Sequence, residues 1–74
     1  MFGTIDTPSD LGRAVHAARL ELGITQTELA TALGYSQRYI SDVETGKAKT
    51  LSANLFELLD QLGIQLMFRT VDNG

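Results

Sequence analysis

The chain has no cysteine. That excludes disulfides and most structural zinc sites, and it fits a reducing, cytoplasmic setting. There is one histidine, His16, which has no second imidazole or thiolate to share a metal with and reads as an exposed helical residue. No apolar run is long enough to span a bilayer, and no charged-then-apolar start resembles a signal peptide, so no membrane association is expected. The chain has no nucleophile–base pair, no phosphate-cradling glycine loop and no metal cluster, and capping accounts for its scattered serines and threonines. An enzyme is therefore not expected, nor is a cofactor. Basic residues are few, and the net charge is -3. This balance counts against a nucleic-acid partner until position is considered. Arg13, Arg19, Arg38, Lys47 and Lys49 stand among four acidic residues in 13–49, whereas Arg69 alone faces five acidic residues in the remainder. Seventy-four residues make one domain with a marginal core. With disulfides and metals set aside, a second subunit is the remaining source of added stability.

What is present centres on residues 25–46, TQTELATALGYSQRYISDVETG. Thr25 and Glu28 have capping-box spacing, and Leu29, Ala30 and Leu33 then recur at helical period. Gly34 suits a left-handed residue just past a helix end, and Ser36 can cap a second helix whose inward residues are Ile40 and Val43. Gly46 can end that helix. Two helices meeting closely need a small residue at the contact, and Ala30 supplies it four residues before the turn. These are the demands of a helix-turn-helix. Away from Ile40 and Val43, the second helix shows Gln37, Arg38, Ser41 and Asp42. Gln and Arg side chains can pair with adenine and guanine edges in a major groove. The alternative is a solvated polar face.

The flanks are less specific. Residues 1–7 form an arm; Phe2 and Ile5 pack on a partner, form a short strand, or fray. Thr7 caps a first helix with Pro8 at its first position and Asp10 in its first turn. Leu11, Val15, Ala18 and Leu22 form its apolar stripe, and Gly23 stops it. Arg19 and Glu44, near the ends of the first and third helices, are expected to pair. Lys47 and Lys49 lie in a basic loop placed for phosphate contact, or are simply solvated. Thr50 can cap a fourth helix bearing Leu51, Leu55, Leu58, Leu59 and Leu62, with Phe56 beside the stripe. After Gly63 the pattern alternates: Ile64, Leu66 and Phe68 face one way, and Gln65, Met67 and Arg69 the other. One strand over residues 64–71 has no evident mate within the chain, so it is expected to pair with its copy across a two-fold axis.

The run TQTELATALGYSQRYISDVETGK resembles the Xre-like class of repressor helix-turn-helix domains. Gln26, Leu29, Ala30, Gly34, Ile40, Val43 and Glu44 stand where that pattern places them. Residues 8–71 are further similar to the HipB antitoxins in the Pro-capped first helix, the GxTQ run at 23–26 and LGIQLMFRTV after the fourth helix. The resemblance implies a mainly α, lambda-repressor-like domain of four helices in residues 8–63, plus a C-terminal β-strand pairing across a homodimer. It implies binding to palindromic operator DNA upstream of the chain's own genes, and a HipA-like serine/threonine kinase toxin as partner, in the bacterial cytoplasm at the nucleoid. Under it, Gln37 and Arg38 read bases, with Ser36, Ser41 and Asp42 nearby. Gln26 touches phosphate and buttresses Gln37, Thr27 lies beside it, and Tyr39 packs on sugar or backbone. Asp42 departs from this: an acid there repels phosphate and can only accept, from a base such as cytosine. Two other readings stay open, a stand-alone regulator without a toxin and an interaction module that has lost DNA binding.

Overall fold

A computed structural model describes residues 3–47 and 52–67. Four helices follow one another: α1 (Pro8–Leu22), α2 (Gln26–Leu33), α3 (Gln37–Glu44) and α4 (Ala53–Gln61). Each begins at a hydroxyl cap. Thr7, Thr25, Ser36 and Ser52 accept from the backbone N–H three residues on, and Asp10 and Glu28 return the bond to complete capping boxes on α1 and α2. Short helices gain little from propensity alone, so these fixed starts decide where each turn of helix begins. The cap of α4 is Ser52 rather than the expected Thr50, which lies outside the described residues, as does Leu51.

The core is built by Val15, Ala18, Leu29, Ala30, Ile40, Val43, Leu55, Leu58, Leu59 and Leu62. The inward residues expected of α2 and α3 occupy it, and α3 lies against both α1 and α2. The stripe of α1 is corrected at one end. Leu22 is 56 % exposed, and Arg19 is buried in the same stretch. The chain reverses at Gly23, and Ile24, not Leu22, packs against the core, its N–H held by the Arg19 carbonyl at 3.3 Å. A helical period cannot show where the packed face ends.

The α1–α3 crossing depends on Gly12. A Cβ there would lie 2.5 Å from the carbonyl oxygens of both Val43 and Glu44. The two backbones therefore meet at a position with no side chain, and this close approach brings the C-terminal end of α3 against α1. Gly46, in the left-handed conformation at φ 78°, extends the contact onto the backbone of Ser9.

Among the described residues there is no strand. Residues 64–67 form no ladder among the described residues of the single chain; the strand expected there takes a second copy as its mate. Phe68, Arg69 and the rest of that segment lie outside the described residues. Ile64 is half-buried against the core, whereas Gln65, Leu66 and Met67 are exposed, Met67 at 84 %.

Candidate nucleic-acid interface

The surface is built outward from a buried ion pair. Arg19 Nε donates to Glu44 Oε2 at 2.7 Å, with the two side chains 9 % and 4 % exposed. Arg19 Nη2 donates to Glu44 Oε1 at 3.1 Å, making the fork bidentate, and Arg19 Nη1 caps the Ile24 carbonyl at 2.8 Å. The expected partners are thus brought together, and the arginine also fixes the turn into α2. Two donors add to Glu44 Oε1: His16 Nδ1 at 2.7 Å and Gln26 Nε2 at 3.2 Å. A carboxylate only accepts, so His16 carries its proton on Nδ1 toward Glu44. His16 is exposed, as expected of it, and its Nδ1 also reaches Glu44. It stands one turn before Arg19 on α1, a spacing visible in the sequence, but nothing in the spacing shows that Glu44 fills the gap. Burial pushes the Glu44 carboxyl up, but bonds from Arg19, His16 and Gln26 outweigh it and hold the group below its ordinary range. The same Glu44 bond raises the Arg19 guanidinium against its own desolvation.

Glu44 also sets the polarity of the next residue. Because it can only accept, the Gln26 amide must turn its nitrogen inward. The Gln26 Oε1 then faces out and accepts from Gln37 Nε2 at 3.3 Å. Gln37 is left with its own carbonyl oxygen and one amide hydrogen for a ligand, the donor–acceptor pair that matches adenine N6 and N7. A hydrogen-bonded line therefore runs from the buried pair to the first residue of α3, and it joins the N-terminal turns of α2 and α3 at one surface.

Around this line, Gln37 and Arg38 are exposed, and Arg38 makes no ion pair among the described residues. Ser41 and Asp42 follow one turn later and are half-buried, with Thr27 exposed on α2 beside Gln26. The Ser36 hydroxyl is occupied by capping, accepting from Tyr39 N–H at 3.1 Å. Tyr39 is half-buried and packs against the core. Its ring meets that of Tyr35 edge-on, centroids 5.4 Å apart and planes at 75°. Lys47 is exposed at the end of α3; Lys49 lies outside the described residues. Tyr35 was not expected at the site. It sits in the α2–α3 turn, its N–H bonded to the Ala30 carbonyl at 2.9 Å, and its hydroxyl donates to Glu57 Oε2 at 2.6 Å.

A capped helix, a glycine turn and a second helix presenting exposed Gln and Arg side chains at its start define a helix-turn-helix domain of the repressor kind. The chain belongs to the helix-turn-helix family, whose model matches residues 15–68. It is 36 % identical over 62 residues to the HTH-type transcriptional regulator y4mF of Sinorhizobium fredii, spanning 84 % of this chain and 82 % of that protein. It is 32 % identical over 73 residues to the antitoxin HipB of Escherichia coli K12, spanning 99 % and 83 % respectively. Among solved structures, a HipB–O2 20mer complex superposes with a TM-score of 0.82 at 29 % identity, covering 97 % of this chain and all of that one. A HipA–HipB–O2–O3 complex does so at 0.80 and 30 %, covering 96 % and all of that chain. The restriction-modification controller protein C.AhdI of Aeromonas hydrophila gives 0.69 at 26 %, covering 78 % and 88 %. The protein is thus a helix-turn-helix transcriptional regulator of the HipB type, not an enzyme.

Proposed function

We propose that this chain is a sequence-specific DNA-binding repressor that works as a homodimer on a palindromic operator and serves as the antitoxin to a HipA-like serine/threonine kinase toxin. The observation that carries DNA binding is the Glu44–Gln26–Gln37 line, which holds the first residue of α3 in one orientation at an exposed surface. Gln37 and Arg38 read bases; Gln26, Thr27 and Lys47 contact phosphate, joined by Lys49; Ser36, Tyr39, Ser41 and Asp42 border the groove. Residues 64–71 of two subunits pair about the two-fold axis, which sets two α3 helices one turn of duplex apart. Residues 1–7 are an arm outside the helical body. Similarity to HipB, solved together with HipA, supports the toxin partner and a cytoplasmic, nucleoid-associated site of action.

The test is a gel shift against DNA upstream of the gene, together with pull-down from the native organism. Arg38→Ala should cost about 1–3 kcal/mol, confined to one base position in each half-site. Unchanged binding removes Arg38 from the reading set, and no shift at low salt favours an interaction module without DNA. A stand-alone regulator is the second reading, favoured by the likeness to C.AhdI and by 46 % identity over 46 residues to the ImmF control region 10 kDa protein of Bacillus phage phi105. A kinase-like gene beside this one, and its product in the pull-down, decide for the antitoxin.

A further inference from the structure

Tyr35 ties the reading helix to α4. Its hydroxyl donates to Glu57 Oε2 at 2.6 Å, a length typical of a charge-assisted O–H···O bond, and it also lies 3.3 Å from the Asn54 carbonyl. The bond to Glu57 pushes the Tyr35 phenol up to about 12, so it stays a donor throughout the physiological range. Among the described residues these are the only side-chain hydrogen bonds joining α4 to the three preceding helices. The other end of Tyr35 is anchored equally well. Its backbone sits one residue before the cap of α3, and its ring edge contacts Tyr39, one turn into that helix. Glu57 itself is exposed and makes no other hydrogen bond or ion pair among the described residues. An exposed pair of this kind adds little to overall stability, but beside the α4 leucines in the core it ties the start of α3 to α4 at one point.

We propose that Tyr35 and Glu57 are positioning residues that fix the angle of α3 relative to α4, and thereby the operator half-site spacing that the dimer accepts. This rests on the dimeric reading above, in which residues 64–71, directly after α4, carry the subunit contact. With the latch in place, the two reading helices are held at one separation. With it removed, α4 tilts against the unit formed by α1, α2 and α3, and the dimer tolerates operators whose half-sites are rotated out of register. Affinity for the preferred operator then falls less than the discrimination between spacings.

The experiment uses the full chain and duplex DNA that the wild-type protein selects from a random library. The selected duplex is remade with one base pair added or removed at its centre, which rotates the half-sites by about 34°. Wild-type protein should discriminate by about ten-fold or more between these duplexes. Tyr35→Phe and Glu57→Ala should each compress that ratio to within about three-fold, and the double variant should compress it no further, because the two residues act as one unit. Rescue by Glu57→Asp, which keeps the acceptor, should be partial. Glu57→Ala alters only an exposed side chain, so it folds even if Tyr35→Phe does not. Variants that lose melting temperature but keep the full ratio overturn the latch alone. A wild-type chain that shows no spacing preference overturns the dimeric reading before any variant is compared.

Discussion

Glu44 accepts from three side chains at once, and its removal reaches further than one contact. Glu44→Gln keeps the shape but replaces an oxygen with an NH2 group that must face at least one existing donor. Arg19 meanwhile stays charged at 9 % exposure. Leaving a buried donor facing a donor should cost about 2 kcal/mol or more, a large share of what so small a domain has. Urea denaturation read by circular dichroism checks it. The same residue sets an acid limit. In the folded chain the Glu44 carboxyl titrates below its ordinary value of 4.5, so under acid the unfolded chain takes up the proton first. Stability from this group is complete above that value and is lost as pH falls through the lower, folded one. Asp10 and Glu28 act with the same sign, their carboxylates held down chiefly by backbone N–H groups of Asp6 and Thr25. Urea midpoints taken between neutral pH and pH near 3 should fall on acidification in wild type, and less steeply in Glu44→Gln. At this scale the Arg19–Glu44 pair was legible, since both ends of a bidentate bond are visible as residue types. His16 was not, because an imidazole's role depends on what lies across from it.

At the scale of elements, α1 and α3 are spaced by an absence. Gly12→Ala gains about 1 kcal/mol of helix propensity, so in an isolated helix it would stabilise. Here the added methyl meets two backbone carbonyls at 2.5 Å, and backbone cannot rotate away as a side chain can. Overpacking of this kind costs typically 1–3 kcal/mol, so we expect net destabilisation of about 1 kcal/mol, with a lower urea midpoint and an unchanged slope. A higher midpoint would show that the two helices separate freely. The helix starts were legible because hydroxyl caps and apolar period agree. The α1–α3 crossing was not: Gly12 sits inside a helical pattern, and a contact between backbones leaves no complementary residue to notice. Leu22 misled for the converse reason, fitting the period but lying beyond the packed surface.

For the molecule as a whole, charge decides how binding responds to salt. The chain carries net charge -3, so long-range attraction to DNA is weak and local cations matter singly. Lys47→Ala should weaken binding to all sequences alike and lower the slope of log K against log salt by about one unit per subunit. A slope that does not change removes Lys47 from the interface. If two copies share residues 64–71, the melting temperature rises with protein concentration, and a chain ending at residue 63 loses that dependence. The segment after residue 63 was legible only as an unmet need: alternation with no evident mate in the sequence, next to exposed Leu66 and Met67.

The bond between Gln26 and Gln37 has a consequence for retargeting. On the proposal that Gln37 reads a base, swapping the side chain at position 37 to choose a new base would strand the Gln26 oxygen, whose direction is imposed from Glu44 behind it. Any grafted specificity must therefore transplant positions 26 and 37 as a couple, with a newcomer at 37 that offers a hydrogen to its neighbour, or a newcomer at 26 that no longer asks for one.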